Sequence, residues 1–492
     1  MQAVIKEIMK KIDDETSINI PSIELMEMAG KGMYEIILKE YNPKNVLLVL
    51  GTGANAGDAL VVGRYLLEKN VNVSAYIIEE IKNQNALENL NRYKGNIVKD
   101  INGNYDLIID GIFGIGLKRD LNDNYIDVIN KINSLNIPIV SLDIPSGIDA
   151  TTGISYKAFV KSDLCISVKY HKTGLFLDDG LDSYKKLDLV DIPIKDTNEL
   201  INIISLDDFN NIFPERLRNT NKGTYNRASI VASSVNYPGA SKISYNALLA
   251  FKMGVGFTNL FVPEDVYNLY ALANPEIITN KLKSINGHID YDEKDLDLII
   301  KRSDSISIGM GMTVSEELYK AIKYLLNNFT GRLLIDADGL NTISKYGIDI
   351  LNNKKCDVIL TPHLKEFERL SNISVSDIKK DILNISKEFA KKYNLVLVLK
   401  SASTVITDGN NISIQAEGST ALAKAGSGDA LSGIICGLLA YLKNESIYKI
   451  SCLGSFLLGY SAKLLSNDIP EENITISDII NTLPTIYKRI KN

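Results

Sequence analysis

The sequence predicts an α/β protein with two doubly wound domains, each built on a mostly parallel sheet. The chain has 492 residues, about the length of two or three ordinary domains. Short apolar runs alternate with longer amphipathic stretches, which is the rhythm of strands and helices in βαβ units. The runs are almost continuously apolar, which is typical of parallel strands covered on both faces.

The N-terminal half contains strand-like runs separated by helical patterns. The predicted strands are 46–50, 71–78, 106–113 and 137–144. The helical patterns include 59–69 and 124–135. Connections between parallel strands are right-handed, and ligands of such sheets bind at the carboxyl ends of the strands.

A polar segment divides the chain. Between about Asp191 and Lys222 the sequence is rich in Asn and Asp and has no sustained apolar period. We therefore place a boundary near residue 200, with domains at 1–200 and 201–492. A second alternation follows, and helices extend from Ser427 to the end. Its predicted strands lie at 228–233, 255–262, 304–311, 332–339, 356–362 and 395–400.

Composition excludes several classes of function. Charged residues make up 23% of the chain and the net charge is −6, without a cluster of basic residues and interleaved aromatics, so we expect no nucleic-acid partner. The longest apolar run, 433–442, is far shorter than the about 20 residues that span a bilayer, and the N-terminus lacks the apolar core of a secretory signal. The four cysteines have no zinc-like spacing, so we expect reduced, buried thiols. These features predict a cytoplasmic protein with small-molecule ligands and no membrane partner, and we also expect a homo-oligomer.

The first candidate site is the turn after strand 46–50. Gly51 to Asp58 are mostly small residues that lead into a helix, where backbone amides can approach a phosphate. The dinucleotide pattern GxGxxG would need glycine at Ala56, and no Walker lysine follows. This segment alone is equally compatible with an ordinary tight βα turn.

Three further segments carry candidate polar residues. They are Leu25 to Gly30 (LMEMAG), Asp110 to Leu117 (DGIFGIGL) and Leu142 to Asp149 (LDIPSGID). Asp143 ends a strand at the expected ligand edge and is the candidate acid or base, the alternative being an Asx residue that caps the following turn. Asp110 is equally well explained as a strand-end carboxylate. His171 and Lys172 are predicted to lie in a surface turn.

Together with the 51–58 turn, these segments resemble the N-terminal epimerase domain of the bifunctional NAD(P)H-hydrate repair enzymes, over about residues 20–195. The resemblance implies a Rossmann-like α/β/α sandwich in which Asp143 is catalytic and meets the reacting end of the substrate. It also implies a potassium ion held by Asn55, Asp110 and Ser146. The substrate-binding residues that it implies are Ala54, Asn55, Ala56, Gly57, Asp58, Gly114, Ile115, Gly116, Leu117, Lys118, Arg119, Asp120 and Asp143.

Alanine replaces residues of the family pattern at three positions. Ala54 stands where the family usually has asparagine, and Ala56 and Ala59 stand where it usually has glycine. An alanine at 56 would obstruct a backbone that needs positive φ, which predicts weakened epimerase activity. These departures support the alternative that the N-terminal domain is a noncatalytic ligand-binding module.

The second candidate site precedes an apolar helix near the C-terminus. Residues 422–433 place small side chains before the helix, where free amides can hold a transferring phosphoryl group. Asp429 stands where its carboxylate could accept a hydroxyl proton. The structural alternative is a Gly/Ser turn that caps a buried helix.

This GxGD-type loop resembles the ribokinase-like superfamily, and one branch of it, the nucleotide-dependent NAD(P)H-hydrate dehydratases, fits over roughly 220–488. The resemblance implies a ribokinase-like α/β domain with catalytic Asp429. Segments similar to the sequence motifs of these dehydratases occur at 221–226, 232–240, 309–311, 336–341, 361–367 and 399–406. The residues implied to face the hydrated dinucleotide are Ala240, Gly311, His363 and Asp429. The residues implied to hold the adenine nucleotide are Lys400, Ser401, Ala402, Ser403, Thr404 and Gly428. Taken alone, His363 could be a helix-capping residue, but Thr361, Pro362 and Glu366 also fit the motif and favour the functional role.

The resemblance implies repair of hydrated NADH and NADPH (NADHX and NADPHX). Asp429 would deprotonate the C6 hydroxyl of the S form, which attacks the terminal phosphoryl group of ADP with Mg²⁺. Elimination of the phosphate ester would then give NAD(P)H, phosphate and AMP, while the N-terminal domain interconverts the R and S forms. The alternative is a ribokinase-type small-molecule kinase with a noncatalytic N-terminal domain.

Overall fold

The computed structural model describes residues 1–250, 254–271 and 276–491. It divides into two compact units, Met1–Asn202 and Ile203–Asn492. Both units are α/β with mostly parallel sheets, which confirms the predicted fold class. Among the described residues, no helix is both long and apolar enough to cross a membrane.

The first unit begins with a short strand and alternates strands with helices from residue 45 onward. Its strands are β1 Gln2–Val4, β2 Asn45–Leu50, β3 Asn72–Ile77, β4 Asn96–Val98, β5 Leu107–Gly111, β6 Ile139–Leu142, β7 Ser162–Val168, β8 His171–Lys172, β9 Tyr184–Val190 and, at the unit boundary, β10 Ile201–Ile203. Its helices are α1 Lys6–Thr16, α2 Ser22–Tyr41, α3 Ala54–Glu68, α4 Gln84–Arg92 and α5 Asp123–Asn133.

The main sheet of this unit is parallel, with strand order β4–β3–β2–β5–β6–β7–β9. The chain builds outward from β2 to β4 and then returns to build outward from β5 to β9. The order therefore reverses between β2 and β5, and open α/β sheets bind ligands at that point. The turn after β2 and the motif that begins at Asp110 both lie there.

The motif LMEMAG has a packing role in α2. A side chain at Gly30 would place its Cβ 2.6 Å from Cβ of Val61 in α3. Only glycine lets the two helices approach this closely. The segment thus fixes α2 against the helix that follows the β2 turn.

The second unit has the same alternation of strands and helices, on a larger sheet. Its strands are β11 Arg227–Val231, β12 Phe257–Pro263, β13 Ile278–Leu282, β14 Ser284–Ile285, β15 His288–Ile289, β16 Ser305–Ile308, β17 Arg332–Ile335, β18 Asp357–Leu360, β19 Val396–Lys400, β20 Thr404–Thr407 and β21 Ile412–Gln415. Its helices are α6 Pro238–Ala250, α7 Tyr267–Ala271, α8 Glu293–Lys301, α9 Glu316–Asn328, α10 Asp338–Tyr346, α11 Leu364–Ser371, α12 Val375–Lys380, α13 Ile382–Tyr393, α14 Ser427–Tyr441, α15 Ile447–Leu465 and α16 Ile476–Lys491.

Within this unit the strands follow the order β13–β12–β11–β16–β17–β18–β19–β20–β21. The sheet is parallel from β13 to β19, and β20 and β21 add to its edge in antiparallel fashion. The order reverses between β11 and β16, which is the expected ligand edge of this unit. The helix predicted from Ser427 is α14, as expected, and it packs closely on α6, because a Cβ at Gly433 would lie 1.9 Å from the Ser244 carbonyl oxygen.

The cysteines behave as the sequence predicts. All four are buried and none forms a disulfide. Burial raises the pKa of the Cys436 thiol to about 12, so the thiol is protonated near neutral pH. These residues act as small apolar side chains in the core.

Candidate active sites

The first unit has a cavity of about 820 Å³ at the carboxyl ends of its central strands. Many of the residues that the resemblance implied for substrate binding line it. They are Ala54, Asn55, Asp58, Gly114, Ile115, Gly116, Leu117, Lys118, Arg119 and Asp143. The remaining three lie elsewhere: Ala56 and Gly57 are buried inside α3, and Asp120 is an exposed residue 3.4 Å from the Lys157 ammonium.

The alanines in the first motif do not obstruct the backbone. Helix α3 begins at Ala54, so Ala56 is helical and does not have the positive φ that the family's glycine suggested. The expected need for positive φ at residue 56 is wrong, because the helix begins at Ala54, five residues before the predicted helical stretch 59–69. Ala59 faces β5, since a Cβ at Gly111 would lie 2.6 Å from Cβ of Ala59. Both alanines are packing residues of a helix that starts early.

Asp143 is held in an unusual backbone conformation. Its φ is +68°, a region that aspartate tolerates better than most residues. The amide of Asp143 donates to the Ile166 carbonyl at 2.8 Å, and its own carbonyl accepts from Oγ of Ser167 at 3.2 Å. These bonds to β7 fix the residue at the strand end, with its carboxylate lining the cavity.

The carboxylate of Asp143 pairs with the ammonium of Lys172. The Lys172 side chain is 0% exposed, so the prediction of a surface turn at His171 and Lys172 is wrong. Burial, followed by the charge of Lys172, lowers the pKa of His171 to about 4. A buried lysine needs an anionic partner, because an unpaired charge in the interior is costly. The motif search missed Lys172, although its place just after a strand at the ligand edge was a usable signal.

Asp110 lies at the centre of a polar network with Ser146. Its Oδ1 accepts from the Ser146 hydroxyl at 2.6 Å, and its Oδ2 accepts from the Ser146 amide at 2.9 Å and the Ser141 hydroxyl at 2.8 Å. Burial raises the pKa of Asp110, although these hydrogen bonds oppose the shift. The sequence offered two interpretations of Asp110, a strand-end carboxylate or an implied potassium ligand, and the structure bonds it to the Ser146 loop.

Two of the three residues that the resemblance implied for potassium, Asn55 and Ser146, share one carbonyl, and the third, Asp110, is bonded to Ser146. The Phe113 carbonyl oxygen accepts from Nδ2 of Asn55 at 3.0 Å and from the Ser146 hydroxyl at 3.1 Å. The carboxylate of Asp110, the hydroxyl of Ser146, the amide oxygen of Asn55 and this carbonyl are all hard oxygen donors. The donor set therefore fits an alkali cation. No group of three or more His, Cys, Asp or Glu side chains in the described residues is arranged to hold a metal ion.

Three further aspartates line the same cavity, Asp13, Asp14 and Asp58. Asp58 lies in the first turns of α3, and Asp13 lies on α1, outside every motif. Burial, reinforced by the charge of Asp143, raises the pKa of Asp58 well above its usual range. The same two effects raise the pKa of Asp13 to about 6. Sequence reasoning missed Asp13, which carries no local signal apart from its helix.

In the second unit, Asp429 occupies the first turn of α14. The helix is preceded by Gly426, whose φ of +98° closes the turn. Burial, reinforced by the negative charge of Asp336, raises the pKa of Asp429 to about 7, although Lys400 opposes the shift. A carboxyl group with a pKa near the working pH is suited to general base catalysis.

Lys400 connects the ends of β17 and β19 to this helix. Its ammonium donates to Oδ1 of the buried Asp336 at 3.0 Å, and Oδ2 of Asp336 accepts from the Ser432 hydroxyl of α14 at 2.7 Å. A Cβ at Gly428 would lie 3.1 Å from Nζ of Lys400. Lys400 and Gly428, both implied for the nucleotide, are thus neighbours. Asp336 lies in the 336–341 motif, but the resemblance implied no role for it.

The remaining residues that the resemblance implied for the nucleotide form the turn between β19 and β20. Lys400 pairs with Thr404 in the antiparallel ladder, and the Ser401 amide donates to the Ser403 carbonyl at 3.0 Å. Ser401 and Ala402 are exposed at the tip of this turn. The turn therefore offers small side chains and free backbone next to Lys400.

His363 caps α11 through its side chain. Its Nδ1 accepts from the amides of Lys365 at 3.1 Å and Glu366 at 3.3 Å, while the Glu366 carboxylate accepts from the His363 amide at 2.8 Å. The capping alternative is thus present in the structure. The His363 side chain is still 53% exposed, and its backbone pairs with Lys400 in an isolated bridge, which places residue 363 next to the end of β19.

Ala240 and Gly311 are neighbours at the strand-order reversal. Gly311 has φ of +63°, and a Cβ there would lie 2.9 Å from Cβ of Ala240. Ile243 follows on the same helix as Ala240, and its Cδ1 is 2.6 Å from the Cβ position of Gly426. The α6 helix therefore links this pair to the loop before Asp429.

Comparisons with known proteins agree with this arrangement. Residues 22–174 match a family described as the YjeF-related protein N-terminus, and residues 228–485 match a family described as NAD(P)H-hydrate dehydratase. The second match covers more than half of the chain. The two matches fall in the first and the second unit respectively.

Full-length relatives carry both regions. A bifunctional NAD(P)H-hydrate repair enzyme of Dictyoglomus turgidum is 31% identical, over 98% of this chain and 98% of its own. The enzyme of the same name from Escherichia coli is 28% identical, over 94% of this chain and 89% of its own.

A solved structure resembles the second unit. It is the ADP/ATP-dependent NAD(P)H-hydrate dehydratase from Bacillus subtilis, co-crystallised with ATP and Mg²⁺, at 25% identity and a TM-score of 0.50. It covers 59% of this chain and 99% of its own. The family matches and the full-length relatives support the repair enzyme and not the alternative of a small-molecule kinase with a noncatalytic N-terminal domain. The chain belongs to the family of bifunctional NAD(P)H-hydrate repair enzymes.

Proposed function

We propose that this protein restores hydrated NADH and NADPH in two steps, with epimerisation in residues 1–200 and ADP-dependent dehydration in residues 201–492. The observation that carries the proposal is the environment of Asp429. Its carboxyl group lies at the start of α14, next to the Lys400 and Asp336 pair, and has a pKa of about 7. Family membership of the whole chain supplies the substrate class.

In the dehydration step, Asp429 accepts the proton of the C6 hydroxyl as that oxygen attacks the terminal phosphoryl group of ADP. The amides at the start of α14 face the transferred group, because a helix N-terminus favours anions. Lys400 lies beside Gly428 and places a positive charge near the phosphates. The ring nitrogen lone pair then expels phosphate from C6 and forms a C=N bond, and loss of a proton from C5 to water gives the C5=C6 double bond of NAD(P)H as the π electrons return to nitrogen.

Mg²⁺ would enter with the nucleotide. It usually keeps several waters and binds through phosphates with one or two carboxylates. Asp336 and Asp429 are the carboxylates beside Gly428 that are available to such a complex. Bound Mg²⁺ would neutralise charge that develops on the transferred phosphoryl group. The crystallised relative from Bacillus subtilis, with ATP and Mg²⁺, supports this part of the proposal.

In the epimerisation step, Asp143 acts on the substrate in the cavity of the first unit. Lys172 and the bonds to β7 hold its carboxylate in place. The loop at Gly114 to Asp120 and the start of α3 surround the nucleotide portion. A potassium ion would be held by Asn55, Asp110 and Ser146 and would order the Phe113 carbonyl between them.

The buried free thiols also support a cytoplasmic location for the protein.

The central experiment mixes the two epimers of hydrated NADH with ADP, Mg²⁺ and K⁺ and follows the return of NADH absorbance. Wild-type protein should convert the mixture completely. Asp429→Asn should lose dehydration by about 10²-fold or more, as expected for a general base, while still binding ADP. A rate within a few-fold of wild type would remove Asp429 from the mechanism. Replacing K⁺ by Na⁺ should slow only the conversion of the R epimer.

A further inference from the structure

The helix α1 brings a carboxyl group into the epimerase cavity from outside the matched family region. Asp13 precedes residue 22, where that match begins. It lines the same cavity as Asp58 and Asp143. The cavity therefore has carboxyl groups from α1, from α3 and from the end of β6.

These carboxyl groups have different partners. Asp143 is paired with the buried Lys172. The Asp13 carboxyl, by contrast, has no hydrogen-bond or ion-pair partner anywhere in the described part of the chain. A half-buried polar group without a protein partner is available to a ligand, because burial leaves its hydrogen-bonding capacity unmet.

The charges around Asp13 favour its protonated form. Burial, followed by the charge of Asp143, raises the pKa of Asp13 to about 6, with a smaller contribution from Asp14 and an opposing one from Lys172. Asp58 faces the same group of charges. Enzymes that use two carboxyl groups as acid and base place them in environments that separate their pKa values.

Inversion at C6 needs two proton transfers. The C6–O bond must break and then form again on the other face of the ring. The departing oxygen must gain a proton to leave as water, and the water that adds must lose one. One group acts as acid and another as base.

We propose that Asp13 is the second proton-transfer group of the epimerase site and acts together with Asp143, which rests on the proposed function of the first unit. The Asp13 carboxyl donates its proton to the C6 hydroxyl, the C6–O bond breaks, water leaves and the ring nitrogen lone pair forms a C=N bond. Water then adds to C6 from the other face, the π electrons return to nitrogen, and the Asp143 carboxylate takes the released proton. Exchange with solvent returns a proton to Asp13 and removes one from Asp143.

The test measures epimerisation in the intact protein with Asp13→Asn, Asp13→Glu and the control Glu15→Gln. Glu15 lies on the same helix, pairs with Lys195 and does not line the cavity. With mixed epimers of hydrated NADH, ADP, Mg²⁺ and K⁺, the fast phase reports dehydration of the S form and the second phase reports epimerisation. Asp13→Asn should keep the fast phase and slow the second by about 10²-fold or more. Asp13→Glu should restore part of it, and Glu15→Gln should match wild type.

The pH profile separates a proton-transfer role from a structural one. The second phase of wild-type protein should decline as pH rises above about 6, because Asp13 loses its proton there. Asp13→Asn should lack this decline. Asp13→Asn could instead keep a normal second phase and an unchanged pH profile while Asp143→Asn abolishes the second phase. In that case the proposed role of Asp13 is wrong, and the proposed epimerase function of the first unit stands. If wild-type protein itself shows no epimerisation, both the proposed function of this unit and the role of Asp13 fail.

Discussion

The ammonium of Lys400, at the end of β19, donates to the buried carboxylate of Asp336, at the end of β17, at 3.0 Å. Both charges act on Asp429 in the next layer, Asp336 raising its pKa and Lys400 lowering it. The pair therefore sets the pH range in which the proposed general base, Asp429, is ionised. It also places a positive charge beside Gly428, where the phosphates of the nucleotide are expected.

Dehydration should depend on pH through Asp429. A general base acts in its ionised form, so kcat/KM for the S epimer should rise with pH through about 7 and level off above it. Lys400→Met removes the charge that lowers the pKa of Asp429 and should move this rise to higher pH. The control Lys449→Met removes a lysine paired with Glu445 elsewhere in the unit and should leave the profile in place. An unchanged pH profile in Lys400→Met would show that Lys400 does not set the pKa of the general base.

Gly428→Val should block nucleotide binding. A Cβ at this position lies 3.1 Å from the Lys400 ammonium, and the branched side chain would extend into the space before the helix. We expect ADP affinity, measured by calorimetry, to fall by about tenfold or more, which is about 1.4 kcal/mol. Normal ADP affinity would place the phosphates elsewhere.

Asp143→Asn should divide the time course into two phases. The S epimer is consumed at the normal rate, because dehydration takes place in the other unit, and the R epimer then converts only at its spontaneous rate. Absorbance should therefore rise quickly and continue as a slow tail, whereas wild-type protein runs to completion. A slower first phase without a tail would indicate that the N-terminal unit is not an independent epimerase.

Ala56→Gly should not improve epimerisation. Ala56 is a buried helical residue of α3 without positive φ, so glycine removes a packed methyl group and increases the flexibility of the unfolded chain. The free energy of unfolding should fall by about 0.5–1 kcal/mol. Denaturant unfolding measures the change in stability, and the second phase of the time course measures epimerisation. Faster epimerisation in Ala56→Gly would support the prediction that the alanines weaken the site.

Asp13→Asn should stabilise the protein at neutral pH. Because burial raises the pKa of Asp13 from an ordinary 3.8 to about 6, the folded protein holds this proton more tightly than the unfolded chain does. The contribution of Asp13 to the free energy of unfolding is therefore fully present below about pH 4 and is lost as the pH rises through about 6. The variant has no such loss, so its advantage should be about 1 kcal/mol at pH 7, after allowance for partial exposure, and should vanish near pH 4. Unfolding curves at the two pH values provide the comparison.

Much of the fold was predictable because it depends on local pattern. Apolar runs such as 46–50 and 396–400 are long enough and apolar enough to be recognised as buried parallel strands. In a parallel sheet all carboxyl ends share one edge, so the turns after β2, β5, β6 and β19 had to lie at the ligand edge of their sheets. The motif residues Asp143, Lys400 and Asp429 follow from that rule together with the family resemblance.

Position in the sequence did not predict where the turn after β2 ends. The small residues suggested a turn through Asp58 and a helix from residue 59, whereas α3 begins at Ala54. Alanine is the best helix former, so a run of small residues extends a helix toward its N-terminus where the backbone is free to adopt it. The role of each alanine was decided by what packs against it, as Gly111 does against Ala59.

The sequence by itself determined the two α/β units, the motif turns and the chemistry of the family. Only the tertiary structure decided which charged groups meet. Lys172 reaches Asp143 across 29 residues of chain and Lys400 reaches Asp336 across 64, because strand order and crossovers bring distant strand ends together. Asp13 enters the cavity from a helix with no motif. The pKa of a carboxyl group depends on burial and neighbouring charge, and both are properties of the folded chain that no local pattern contains.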